Sequence, residues 1–256
     1  MSEIVYNLAS SFPVGAYIMG KVIEKVLADG YDRVSVLPTW GTPSANFEFK
    51  ACVRCAEMPW NPGTPWGWAY GLITHSLKTP RLHDWLLFPW YKKWWMPLWE
   101  RIIRWGAMPI VHSFHEAPGL VEINPNMRIN GEVAVVTACL CERMLVFDTH
   151  HAVRDLLPGA LQPGESAKSL LGDWREWLGP AVRMRRLGMF DFHTTTLQLA
   201  TNNMDEPLAM LRFALDEGYA GPIRVEAVLP GLINQVKNWR ETSRLILELL
   251  RDELGS

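Results

Sequence analysis

Leu145-Val146-Phe147-Asp148-Thr149-His150-His151 decides the reading of this chain. A short apolar run of strand length ends in a carboxylate, and two imidazoles follow at once. Three other runs finish alike: Leu120-Val121-Glu122, Met189-Phe190-Asp191-Phe192-His193 and Ile223-Arg224-Val225-Glu226. In a parallel barrel the carboxyl ends of all strands open onto one face, where residues distant in sequence meet. Glu122, Asp148, His193 and Glu226 would form a hard, oxygen-rich donor set with one nitrogen. Such a set suits one divalent ion (Mn²⁺, Mg²⁺, Co²⁺ or Zn²⁺) better than a soft thiolate metal. Taken singly, each residue has a plainer use, an acid as a helix cap or surface charge and a histidine as a hydrogen-bonded core group. The order of all four favours a shared site.

Working outward, apolar runs alternate with helical patterns. Strands are expected at Ile4–Leu8, Arg33–Leu37, Ala51–Ala56, Pro109–Ser113, Leu120–Ile123, Leu145–Asp148, Gly188–His193 and Ile223–Ala227. Helical spacing runs over Val14–Ala28, Glu132–Met144, Glu206–Glu217 and Val236–Glu253, with Gly30 and Gly218 as stops. Strands alternating with helices imply a parallel α/β sheet. Eight such units predict a somewhat irregular (β/α)8 barrel, with little room for a helix between the strands at His112 and Glu122.

The 256 residues are read as a single barrel domain, 1–256. Two segments look inserted. Residues 58–107 are rich in Trp and Pro, with Trp85, Trp90, Trp94, Trp95, Trp99 and Trp105 among Lys92, Lys93, Arg101 and Arg104. Residues 158–187 carry Pro158, Gly159, Pro163 and Gly164, then Trp174 and Trp177. Aromatic and basic residues together suit packing on the barrel, contact between two copies of the chain, a lid over substrate, or membrane contact. Pro89 and Pro97 interrupt a long helix and weaken the membrane reading.

A formal net charge of −2 argues against nucleic acid as partner. No basic region precedes an apolar run at the N-terminus, and no run of membrane-spanning length occurs. A reduced, cytoplasmic protein is therefore expected, and four cysteines do not make a disulfide scaffold. Cys52 and Cys55 in a strand, and Cys139 and Cys141 in a helix, have spacings that point their thiols apart, so buried structural cysteines are expected.

Glu122-Ile123-Asn124-Pro125, the D-x-x-H of Asp148–His151, the strand-end His193 and Gly221-Pro222-Ile223-Arg224-Val225-Glu226 resemble the late strands of the xylose-isomerase-like barrel superfamily. That group includes sugar phosphate isomerases and epimerases and the endonuclease IV repair enzymes. The resemblance covers about residues 108–250. It implies that Glu122, Asp148, His193 and Glu226 bind one divalent cation, and that Glu122 and Glu226 also act as catalytic acid and base on opposite faces of a small polyhydroxy carbonyl substrate. One Glu would take a proton from the carbon beside the carbonyl, giving an enediolate, and the other would return it. His151, His112, Glu57 and Asn124 would line the substrate pocket, with His75 and His115 as further candidates.

The chain departs from the family in two places. Thr194-Thr195-Thr196-Leu197 follows His193 where endonuclease IV carries a D-x-H, and Gln198-Leu199 stands where the epimerases place an Arg. The expected function is a metal-dependent isomerase or epimerase of carbohydrate metabolism. The rivals are a metal-dependent lyase or hydrolase on the same scaffold (a dehydratase, or less readily an endonuclease IV-like enzyme) and a non-catalytic barrel whose Trp-rich segment binds a partner or lipid surface.

Overall fold

A computed structural model describes residues 2–7, 23–36, 53–57, 108–111, 114, 119–123, 129–153, 171–195, 204–228 and 232–255. The strands are β1 (Ile4–Asn7), β2 (Arg33–Val36), β3 (Val53–Glu57), β4 (Met108–Val111), β5 (Leu120–Glu122), β6 (Met144–Asp148), β7 (Leu187–Thr195) and β8 (Ile223–Val228). Each pairs in parallel with its successor, and β1 pairs with β8, so the sheet closes into a barrel. Helical residues are α1 (described over 23–28), α2 (Gly131–Leu140), α3 (Thr149–Val153), α4 (Trp174–Arg183), α5 (Asp205–Asp216) and α6 (Leu232–Glu253). Strands β4 and β5 pair directly across the connection 112–119, the place where the sequence left too little room for a helix.

Among the described side chains, successive strand residues face opposite sides of the sheet, and the two faces form two separate cores. Outward residues such as Tyr6, Val121, Phe147, Phe190, Phe192 and Val225 pack under the helices. Inward residues Val5, Ile110, Leu120, Val146 and Met189, with Met144 against them, plug the barrel. Above that plug the inward positions turn polar: Asn7, Ser35, Glu122, Asp148, Asp191 and Arg224 are all buried. A barrel interior is ordinarily filled by bulky branched residues, so this charged layer lies where apolar packing is the default.

Helix α2 stops earlier than the sequence suggests. Glu142 adopts φ 54°, and the backbone N–H of Arg143 donates to Ala138 O at 2.8 Å. This is a helix-ending turn normally built on glycine. Met144 then opens β6 instead of closing the helix. A similar turn at Arg185, φ 55°, ends α4, with Arg186 N bonded to Ala181 O. Part of the segment read as a second insertion is therefore a barrel helix: α4 bridges β6 and β7, capped by Asp173 and seated through the buried Trp177. The Trp177 ring lies 4.9 Å from that of Phe147. The Trp-rich segment 58–107 lies outside the described residues. Among those described, no helix is long and apolar enough to cross a membrane. Cys139 is half-buried and Cys141 exposed, against the expectation that both are buried, because α2 ends before Cys141.

Helix α6 is tied to the turn before β2. The Tyr31 hydroxyl donates to Ser243 O at 2.7 Å, and Arg251 Nη2 donates to Gly30 O at 2.6 Å. Burial raises the Tyr31 phenol well above its ordinary value. The unfolded tyrosine ionises near pH 10 and the folded one later, so the unfolded chain releases its proton first. Stability is thus fully present below about pH 10 and is lost as pH rises past it toward the folded value. Tyr31→Phe should cost about 1 kcal/mol at neutral pH, the size of one buried hydrogen bond, and should flatten that alkaline loss. Denaturant melts of both chains between about pH 8 and pH 11 check this; parallel profiles would refute it.

Candidate metal centre

Asp148 is the hinge of the site. It ends β6 and stands immediately before α3, so its Oδ1 accepts the orphan N–H groups of His150 at 2.7 Å and His151 at 3.0 Å. That is N-capping, the plain use of a strand-end acid, and here it also serves the site. With Oδ1 held, Oδ2 faces His193 Nδ1 at 3.1 Å and His151 Nε2 at 3.7 Å. The D-x-x-H spacing has a local cause: three residues on, the first helical turn brings His151 back over the carboxylate.

Strand register supplies the remaining groups. On β7 and β8, Asp191 pairs with Arg224 and His193 with Glu226 one pleat higher. Thr149 locks this level, since its hydroxyl both accepts from His193 N and donates to His193 O at 3.0 Å. Glu122 ends β5 with Oε1 at 3.3 Å from His151 Nε2. Glu226 Oε2 accepts from Asn7 Nδ2 at 2.8 Å. Two overlapping triads result, Glu122–Asp148–His151 and Asp148–His193–Glu226, each with its donor atoms within 4.8 Å of one another.

The electrostatics follow from crowding acids in a buried place. Burial alone would raise the Asp148 carboxyl, but His151 and His193 together hold it well below the carboxylate range. Burial opposes a charged His193, yet Asp148 and Glu226 push it up to about 10. His151 is raised likewise, against its own burial, by Asp148 and Glu122. Among the described residues Glu122, Asp148, Asp191 and Glu226 face one guanidinium, that of Arg224, and the imidazoles. Carboxylates outnumber permanent cations, and the donors are oxygen with imidazole nitrogen. That chemistry fits a divalent ion.

The structure brings together all four residues predicted as ligands, and His151 with them. Glu57 is the last residue of β3, and its side chain lies outside the description. His112, Asn124, His75 and His115 lie outside the described residues. Sequence reasoning missed Asn7, Asp191, Arg224 and His150, whose ring is 4.6 Å from that of His193. For Asp191 and Arg224 a signal was present in D-F-H and R-V-E, where the charged residue two before each ligand shares its face of the strand.

No protein-family model matches the chain, and no curated protein does. Among solved structures, it is similar to a protein of Anabaena variabilis whose name proposes a sugar phosphate isomerase/epimerase. The two share 13% identity over 100% of this chain and 99% of the other, with a TM-score of 0.48.

Proposed function

We propose that this chain is a divalent-metal-dependent isomerase or epimerase of a small polyhydroxy carbonyl compound. The observation that supports it most is that Glu122 and Glu226 belong to different triads joined through Asp148. A single cation beside Asp148 would thus have a glutamate on each flank. Glu122, Asp148, His193 and Glu226 would hold the ion, with His151 against both Glu122 and Asp148. When bound, the ion supplies Lewis-acid polarisation of the substrate carbonyl.

The chain's own groups do the rest. One glutamate accepts the proton from the carbon beside the carbonyl, and the other delivers a proton either to the former carbonyl carbon, with the hydroxyl proton passing from one oxygen to the other, or to the opposite face of the carbon that lost it. The first outcome is isomerisation and the second epimerisation. Asn7, at the level of Glu226, and Arg224, one pleat below, both engage Glu226 Oε2, and Arg224 also donates to Glu122. Each base is therefore oriented before substrate arrives, which general-base catalysis requires.

The test is a sugar panel in deuterated water with Mn²⁺. Deuterium should enter at the carbon beside the carbonyl, and Glu122→Gln or Glu226→Gln should each slow exchange about a hundredfold. Unlabelled substrate accompanied by a cleaved or dehydrated product would replace this reading with the lyase or hydrolase.

A further inference from the structure

Beneath the candidate ligands lies a charged layer that metal binding alone does not call for. Arg224 and Asp191 are fully buried and form an ion pair inside the barrel. Each stands one pleat below a candidate ligand on its own strand, Asp191 under His193 and Arg224 under Glu226. Arg224 Nη2 also donates to Glu122 Oε2 at 3.3 Å and lies 3.6 Å from Glu226 Oε2. One guanidinium nitrogen therefore touches acids from β5, β7 and β8.

We propose that Arg224, anchored by Asp191, is a positioning residue. It forms a fixed cationic floor that fixes the Glu122 and Glu226 carboxylates and confines a bound divalent ion to the barrel mouth. The role rests on the metal reading above.

Three physical points carry it. Burying an arginine is costly, and a buried pair adds little stability over apolar residues of similar size, so stability alone is a weak reason to keep one here. Glu122 is held by its two oxygens from opposite sides, Oε2 by Arg224 below and Oε1 by His151 above. Both of its oxygens are thereby engaged by neighbouring side chains. A permanent positive charge in the middle of the barrel also repels a second cation from the depth of the site, while the acids above it remain available.

The experiment removes the pair together. Arg224→Met with Asp191→Leu takes out the guanidinium together with the carboxyl that anchors it, so neither is left buried without its partner, and the Mn²⁺ spectrum reports the geometry of the ligands. Melting temperature shows that the variant is folded, calorimetric titration gives the Mn²⁺ dissociation constant, and the Mn²⁺ electron paramagnetic resonance spectrum reports the symmetry of its ligands. We expect a folded protein whose Mn²⁺ dissociation constant rises at least about tenfold, with an altered spectrum. Arg224→Lys keeps the charge but exchanges a planar group for a point charge, and should show the same loss in a chain that retains Asp191. Wild-type affinity and spectrum in both variants would overturn the role of Arg224 and leave the metal reading standing. A wild-type chain that binds no Mn²⁺ would overturn the metal reading and this role with it.

Discussion

Asp148→Asn should abolish tight Mn²⁺ binding and leave the barrel folded. Asp148 belongs to both triads, so its loss removes the one charge that they share. A unit charge about 4 Å from a partner is worth about 4 kcal/mol per opposing charge at an effective dielectric constant of about 20. At about 1.4 kcal/mol per decade this is a weakening of about a thousandfold or more. The fold should survive because the two functions of the carboxylate fall on different oxygens. Oδ1 caps α3 through His150 N and His151 N, and an asparagine oxygen caps a helix about as well. Only Oδ2, which faces His193 and His151, needs the charge. Asp148→Ala, by contrast, should lose the ion and about 1 kcal/mol of capping as well. Calorimetric titration with Mn²⁺ and thermal melts of the apo proteins separate the two losses. An Asp148→Asn chain that binds Mn²⁺ as the wild type does would sink the proposed centre.

The sheet was legible because its cause is local. Runs such as Leu145–Asp148 and Ile223–Glu226 have strand length and end in polar groups, and parallel pairing brings such ends together without further information. The meeting of Glu122, Asp148, His193 and Glu226 at one end of the sheet could therefore be expected from order alone. Helix ends were less legible: Glu142 and Arg185 take left-handed turns that sequence rules reserve for glycine. Trp177 looked like part of an insertion because Pro158, Gly159, Pro163 and Gly164 precede it. It is instead buried against Phe147 as the core of a crossover helix. Asp191 and Arg224 were passed over for a different reason. Within an apolar run a charge reads as a defect, and its meaning emerges only when register sets Asp191 beside Arg224. Pairing between strands is a non-local fact, and two short motifs read separately do not contain it.

Arg224→Met alone is the substitution with the largest expected cost in stability. It leaves Asp191 buried without the guanidinium that it faces, and it leaves Glu122 and Glu226 close to that charge. Breaking a buried pair from one side costs about 3–5 kcal/mol, because the surviving charge stays desolvated. In a domain of this size that is a fall in melting temperature of roughly 10 °C. Adding Asp191→Leu should restore most of the loss, since replacing both partners by apolar groups is often near neutral. The signature is thus a coupling energy of several kcal/mol in the double-mutant cycle, well above the roughly 0.5 kcal/mol within which distant, independent sites add. Melts at neutral pH of the four chains in the cycle measure it. The cycle also bears on the ionisation state of the pair, because burial raises the Asp191 carboxyl well above its ordinary value against the opposing pull of Arg224. A single Arg224→Met variant as stable as the wild type would mean that Asp191 is neutral in the folded protein. The full charge of Arg224 would then fall on Glu122 and Glu226 alone.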